Sequence, residues 1–346
     1  MSAIQKMWQR REELIQAFHV AIITGMSATW RRCESLGTRP QEPDFVAGLV
    51  IESTPRIYHA LRSRLGAHGV SVSMASIFCH QLPQVTFDSH SRASCELGDI
   101  LFAYIHTPRS GQLVRNAMLF QAKATSNQPY RIRAAERDQL CLYSEWPDFT
   151  YTRSGFLTGQ KRSVTPKTPN AGAQYLLLDD RPPHDPSSGL LGIPGTYPVG
   201  CCIPDEFLRD HNHLASELFS LFIFKTGRPF QDRATAASKG DWSQVVWDLL
   251  EIGVRKSFNR RRSGRHDSPR FPGGSLGDLD GAIFSEASSS SACSTVSEIV
   301  GQAGVQLFYG AGGDVPPDKF RDRNGSDDGR GGVSVVLIET SERESG

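Results

Sequence analysis

Three polar side chains stand in two apolar segments that otherwise have the composition of β-strands. Asp99 lies within 95–102, and Gln121 and Lys123 lie two residues apart within 116–124. Residues at positions i and i+2 of a strand point to the same face, so Gln121 and Lys123 are predicted to face the same side. A buried lysine without a partner loses its charge or destabilises the protein by several kcal/mol. A bound divalent metal and a phosphodiester would justify all three residues.

Each of these residues has a role in phosphodiester hydrolysis. The reaction needs a hard cation that polarises a phosphoryl oxygen and lowers the pKa of an attacking water. Mg²⁺ prefers oxygen ligands, and Asp99 offers a carboxylate, Gln121 an amide oxygen and Ala122 a backbone carbonyl. These three are therefore the predicted ligands of Mg²⁺ or Mn²⁺. Lys123 would hold or deprotonate the water and stabilise the transition state as a point charge.

A glutamine is a neutral and weaker metal ligand, so a further acid is expected near the site. Glu52, at the end of the helix that precedes the sheet, is one candidate. Glu96 is the alternative, although on a regular strand it would face away from Asp99 unless Gly98 introduces a bulge. In the helix that follows the lysine strand, Gln139 either orients a ligand or the water, or packs as an ordinary helical residue.

An acid followed after about twenty residues by Gln-x-Lys on the adjacent strand resembles the PD-(D/E)XK nuclease superfamily, which has the restriction-endonuclease-like fold. Asp99 and Gln121-Ala122-Lys123 carry the resemblance, together with the order of elements over 44–178. The glutamine departs from the commonest Glu or Asp and is a known variant in restriction-like and anti-phage defence nucleases. The segment from Gln139 to Trp146 resembles the helix after the QxK strand in defence-associated members. The superfamily often has a glutamate on the helix that precedes the sheet, so the resemblance favours Glu52 over Glu96.

The resemblance implies a Mg²⁺-dependent endonuclease that acts on DNA rather than RNA. It also implies an antiviral or restriction role, in which a separate ATPase, helicase or sensor subunit works with the nuclease. A homodimer would allow two sites to cut two strands. Because the glutamine replaces an acid, the alternative is a catalytically inactive nuclease-like module that binds nucleic acid or a partner protein.

The elements that must position these residues alternate between helical and strand periodicity. Helices are predicted over 7–36, 45–52, 57–65, 133–146, 207–224 and 242–258. Strands are predicted over 70–78, 84–87, 97–106, 118–124, 174–178 and 333–339. This order favours an α/β (α+β) fold with a mixed central β-sheet flanked by helices and an additional helical C-terminal region.

Five segments are predicted along the chain. They are an N-terminal helical segment (1–40), the nuclease core (41–205), a helical extension (206–258), a basic and Gly/Ser-rich flexible linker (259–297) and a C-terminal segment with a terminal strand (298–346). Within the linker, Arg260, Arg261, Arg262 and Arg265 either neutralise nucleic-acid phosphates or form a solvated disordered run.

The composition sets further limits. A net charge of +1 over 346 residues gives no global field that would steer the chain to nucleic acid. Seven cysteines, an odd number without a CxxC pair, argue against a disulfide framework and a zinc ribbon. No apolar segment is long enough to span a bilayer, so the expectation is a soluble cytoplasmic protein without membrane partners.

Overall fold

The structure is a computed structural model that describes residues 2–79, 83–88, 94–167, 172–192, 196–239, 241–259, 281–284 and 333–342. Arg260, Arg261, Arg262 and Arg265 lie outside these residues, as does most of the predicted linker, so the nucleic-acid role of the four arginines stays a prediction. One piece of the predicted linker, Gly281–Phe284, is a strand of the main sheet and not a flexible segment.

Eight α-helices are described. They are α1 (Ala3–Gln9), α2 (Arg11–Ser35), α3 (Glu42–Ala47), α4 (Thr54–Leu65), α5 (Arg137–Glu145), α6 (Leu214–Phe222), α7 (Arg233–Lys239) and α8 (Trp242–Asn259). A π-helical segment, Gly48–Ser53, joins α3 to α4. Helical backbone is thus continuous from α3 to α4, and Pro55, which has no N–H to donate, stands just after the π-helical segment.

The main sheet contains nine strands. They are β1 (Val70–Ile77), β4 (Ile100–Thr107), β5 (Val114–Ala124), β9 (Ala173–Leu178), β10 (Val199–Cys202), β12 (Asn212–His213), β13 (Arg228–Pro229), β14 (Gly281–Phe284) and β15 (Ser334–Glu342). A smaller sheet contains β2 (Gln84–Thr86), β3 (Cys95–Glu96), β7 (Phe149–Arg153) and β8 (Lys161–Arg162). Strands β6 (Tyr130–Arg131) and β11 (Phe207–Leu208) pair with each other.

The main sheet is mixed and runs in the order β12-β10-β9-β5-β4-β15-β1-β14, with β13 added beside β5. Strands β4 and β5 are antiparallel, whereas β5 and β9 are parallel. The last strand of the chain, β15, lies between β4 and β1 in the centre of the sheet. The C-terminal segment thus contributes a central strand to the core sheet, whereas the predicted boundary at residue 298 separates this segment from the core.

Both faces of the sheet are covered, as the fold class requires. One hydrophobic core lies against α2, α4 and α6 and includes Phe102 and Phe120. The other lies against α5, α8 and the smaller sheet and includes Leu119 and Tyr175. The predicted mixed sheet flanked by helices is confirmed. The helix predicted over 207–224 begins only at Leu214, because 207–208 and 212–213 are short strands.

Among the described residues, no helix is both long enough and apolar enough to cross a membrane.

Candidate active site

Asp99 is fixed at the point where the chain enters the main sheet. Its backbone N–H donates to the Phe120 carbonyl on β5 at 2.9 Å, and its carbonyl accepts from the Ser334 N–H on β15 at 2.9 Å. Its side chain is buried, with 4% of the residue exposed. The two strands on either side therefore set the position of Asp99, and one of them comes from the far end of the chain.

Gln121 and Lys123 lie on one face of β5, as the period of two predicts, and both are buried. The Gln121 side-chain amide donates to the Asp99 Oδ2, and the Ala122 backbone N–H donates to the same oxygen at 2.7 Å. The structure therefore brings Asp99 and Gln121 into direct contact. Ala122 contributes its N–H to the cluster, while the predicted role of its carbonyl as a metal ligand stays a prediction.

Gln139, on α5, joins the glutamine to the lysine. Its Nε2 donates to the Gln121 Oε1 at 2.7 Å, and its Oε1 accepts from the Lys123 Nζ at 3.5 Å. A continuous chain of hydrogen bonds thus runs from Lys123 through both amides to the carboxylate of Asp99. These bonds account for a polar residue on the buried side of α5, while the predicted role of Gln139 in orienting a ligand or water stays a prediction.

The carboxylate of Glu136, which directly precedes α5, contacts Lys123. The Lys123 Nζ lies 3.3 Å from the Glu136 Oε1. Glu136 accepts in turn from the Tyr130 hydroxyl at 2.9 Å and from the Arg133 N–H at 2.9 Å. Glu136 and Tyr130 were not among the predicted site residues. The pair Arg133 and Glu136, at the spacing of a helix N-terminal cap, is the one signal that points to an ordered residue there.

The helical acid at the site is Glu42, and the preference for Glu52 was misplaced. The Glu52 carboxylate pairs with the Arg32 guanidinium and lies 3.6 Å from the Arg56 Nη1. Glu42, at the start of α3, lies by the end of β5, and the charges of Asp99 and Lys123 act on its carboxyl group. The reason is the helix start: α3 begins at Glu42 and not at residue 45, so its first turn meets β5.

Glu96 belongs to the same electrostatic cluster, because the charge of Asp99 acts on its carboxyl group. The chain leaves the strand between Glu96 and Ile100, so the alternation that would turn Glu96 away from Asp99 does not apply. Gly98 allows this path: a Cβ there would lie 2.7 Å from the Tyr143 hydroxyl and 2.8 Å from Leu119 Cδ1. The Tyr143 hydroxyl donates to the Leu97 carbonyl at 2.9 Å.

The three carboxyl groups have raised pKa values. Burial, with the charge of Asp99, raises the pKa of Glu42 to about 8 and that of Glu96 to about 7, although Lys123 opposes both shifts. Burial raises the pKa of Asp99 to about 6 against the effects of Lys123 and the Ala122 N–H. The single ammonium of Lys123 therefore does not compensate all three negative charges.

The same charges keep Lys123 protonated. Burial lowers the pKa of its ammonium, but the carboxylates of Glu42, Asp99 and Glu136 outweigh burial and raise it above its ordinary value. At neutral pH the lysine is thus a cation. It is suited to hold a phosphate oxygen and not to remove a proton from water.

The chemistry of the donor set fits a hard divalent cation, because Glu42, Glu96 and Asp99 are carboxylates that the single lysine leaves undercompensated. In this structure the Gln121 Oε1 already accepts a hydrogen bond from the Gln139 Nε2, so it does not face a metal ion. In the part of the chain that the structure describes, no three His, Cys, Asp or Glu side chains are arranged to hold a metal ion. Metal binding by Gln121 therefore requires its carboxamide to turn away from Gln139.

Tyr175 adds an unassigned polar group to this region. It stands opposite Gln121 in the register of β5 and β9 and is fully buried. Within the described residues its hydroxyl has no hydrogen-bond partner. The charges of Glu136 and Asp99 both act on this hydroxyl. No feature of the sequence distinguished it from the apolar residues around it.

No protein-family model matches the chain, and neither a curated protein nor a solved structure matches it.

Proposed function

We propose that this protein is a metal-dependent nuclease that hydrolyses phosphodiester bonds, with DNA as the substrate to test first. The observation that carries the proposal is the convergence of Asp99, Gln121 and Lys123 at one end of the sheet. Glu42 and Glu96 add two carboxyl groups whose charges are coupled to this cluster. Asp99 and Lys123 are buried, and Glu42 and Glu96 are half-buried beside them. A structural role alone does not account for this cluster, because each charged group carries a desolvation cost.

The carboxylates of Glu42, Glu96 and Asp99 would hold the cation after their side chains turn toward one point, joined by Gln121 once its carboxamide turns away from Gln139. When bound, Mg²⁺ or Mn²⁺ supplies a polarised phosphoryl oxygen and a water of lowered pKa. Lys123 donates from its ammonium to a phosphate oxygen and stabilises the charge that develops there. Gln139 and Glu136 hold that ammonium in place, so they act as positioning residues.

The test is a cleavage assay on plasmid, linear and single-stranded DNA, with RNA in parallel, over a range of Mg²⁺ and Mn²⁺ concentrations. Lys123→Ala is compared with Lys161→Ala, which removes an exposed lysine on β8. We expect cleavage by the wild-type chain and by Lys161→Ala, and a loss of at least about a hundredfold in Lys123→Ala. Equal activity, or equal lack of activity, in all three proteins contradicts the proposal.

A second candidate is a catalytically inactive module that binds nucleic acid or a partner protein. The observation in its favour is that Gln121 and Lys123 are already satisfied by Gln139 and Glu136. Such a module would retain nucleic acid in a gel-shift assay at every metal concentration without cutting it. Cleavage that depends on both metal and Lys123 excludes this candidate.

The biological setting follows only from the resemblance of the motif. We propose that the nuclease is the effector of an anti-phage or restriction system with a separate ATPase, helicase or sensor subunit. Two copies would provide the two sites that a double-strand break needs. Co-purification of the tagged protein from infected and uninfected cells, with its mass in solution, tests both points.

A further inference from the structure

A polar cavity of about 290 Å³ lies next to the candidate active site, on the same face of the sheet. Lys123 is the register partner of Leu177, which lines this cavity. Thr125 and Asp179, two residues further along β5 and β9, line it as well. The ladder continues to them, because the Thr125 N–H donates to the Leu178 carbonyl and the Asp179 N–H to the Pro198 carbonyl.

This alignment makes the cavity the next position along the sheet after Lys123. Side chains two residues apart on a strand share a face and lie about 7 Å from each other. That spacing is close to the distance between neighbouring nucleotides of an extended strand. A polynucleotide whose phosphate contacts Lys123 would therefore place an adjacent base at the cavity.

One wall of the cavity is a fixed cation. The Arg181 guanidinium binds Asp179 through two nitrogens, Nε to Oδ1 at 2.8 Å and Nη2 to Oδ2 at 3.0 Å. The Gly189 N–H also donates to the Asp179 Oδ2, at 2.6 Å. Asp179 is 5% exposed, so the guanidinium plane is held by a buried and fully engaged carboxylate. A guanidinium held in this way offers a flat surface on which a base can stack.

Other residues that line the cavity carry the groups that can read a base edge. The Gln128 Nε2 donates to the Asp210 Oδ2 at 3.0 Å, and the Asp210 N–H donates to the Gln128 Oε1 at 3.4 Å. The Tyr197 ring lies nearby, held 5.0 Å from the His213 ring. A carboxylate accepts hydrogen bonds and cannot donate them, so Asp210 favours the exocyclic amine of cytosine, adenine or guanine. Thymine has one N–H donor, which lies between two carbonyl oxygens that repel a carboxylate, so Asp210 disfavours thymine.

We propose that this cavity binds the base of the nucleotide next to the scissile phosphate, and selects cytosine, adenine or guanine over thymine through Asp210. The proposal rests on the proposed nuclease function, which puts a polynucleotide at Lys123. The volume of the cavity is at the lower limit of ligand sites in proteins, so the cavity suits one base and not a larger ligand. Together with Arg181, Asp210 would give the enzyme a preference among bases at one position next to the scissile phosphate.

The test is calorimetric titration of the wild-type chain with dCMP, dAMP, dGMP and dTMP. These probes contain no phosphodiester bond, so the measurement is independent of cleavage. We expect at least one amine-bearing nucleotide to bind about tenfold more tightly than dTMP, the discrimination of one good base-edge contact. Asp210→Asn introduces a donor and should shift the preference toward dTMP, which a merely structural residue would not do.

Two further variants keep the result interpretable. Gln128→Ala removes an exposed side chain, so it is expected to fold, and it should weaken the preference at least about threefold. Asp205→Asn, at an exposed position outside the cavity, should change nothing. Equal binding of all four nucleotides by a chain that cuts DNA overturns the cavity proposal alone. Selective binding by a chain that cuts no nucleic acid supports the cavity and overturns the nuclease function instead.

Discussion

Replacing Asp99 with asparagine should stabilise the protein while removing the proposed nuclease activity. Asp99 is buried, and its folded-state pKa of about 6 compares with an ordinary value of 3.8. This difference corresponds to roughly 3 kcal/mol in favour of the protonated form in the folded state. The favourable effect of Lys123 and of the Ala122 N–H is already contained in that pKa. An asparagine keeps an oxygen for the Ala122 N–H without the charge, so Asp99→Asn relieves most of the penalty at pH 8.

The sign of the effect depends on pH. A raised folded-state pKa gives stability that is complete below about pH 4 and is lost as the pH rises through about 6. The gain in unfolding free energy from Asp99→Asn should therefore be roughly 2–3 kcal/mol at pH 8 and small at pH 4. Urea denaturation in EDTA at both pH values measures this gain in unfolding free energy.

The control is Asp148→Asn, since Asp148 is a surface acid whose pKa is lowered by Lys167 and Ser163. This variant should lose a little stability at pH 8. If Asp99→Asn loses the same amount of stability at both pH values, the claim that the buried charge of Asp99 destabilises the folded protein is refuted.

Three further outcomes are expected. In EDTA, the unfolding free energy of the wild-type chain should rise as the pH falls from 9 to 5. Glu42 and Glu96 take up protons in the folded state below pKa values of about 8 and about 7, and a fall over this range would contradict the raised values. Millimolar Mg²⁺ should raise the melting temperature at pH 8 and lose this effect at pH 5, where the same carboxyl groups bind protons; a shift independent of pH would argue for non-specific ion binding. Tyr175→Phe should keep or raise the unfolding free energy, because its hydroxyl has no partner within the described residues, yet should slow cleavage; unchanged cleavage would remove Tyr175 from the site.

The core of the site could be predicted from the sequence because it depends on local rules. The period of two on β5 puts Gln121 and Lys123 on one face, and an antiparallel neighbour brings Asp99 within reach. The helix that follows and its Gln139 also lie where the pattern indicates. These features need only strand alternation and short connections between neighbouring elements.

The rest depends on contacts between distant parts of the sequence. Strand β15 enters the sheet beside β4 and binds the Asp99 backbone, although more than two hundred residues separate them. Periodicity identifies a strand but not its neighbours. Glu42 was not among the predicted acids, because the helix was predicted to begin at residue 45 and begins three residues earlier. Element boundaries are the least certain result of sequence patterns. The ion pairs of Glu52 with Arg32 and Arg56 depend on helix packing that the sequence pattern does not give.

The most direct test of the central claim compares two glutamates on the same helical region. Glu42→Gln and Glu52→Gln make the same chemical change, one within the carboxylate cluster and one at the ion pair with Arg32. In the Mg²⁺-dependent cleavage assay, Glu42→Gln should lose at least about a hundredfold in rate, whereas Glu52→Gln should stay within about threefold of the wild type. Equal rates for the two variants, or a loss confined to Glu52→Gln, would contradict the site described for this protein.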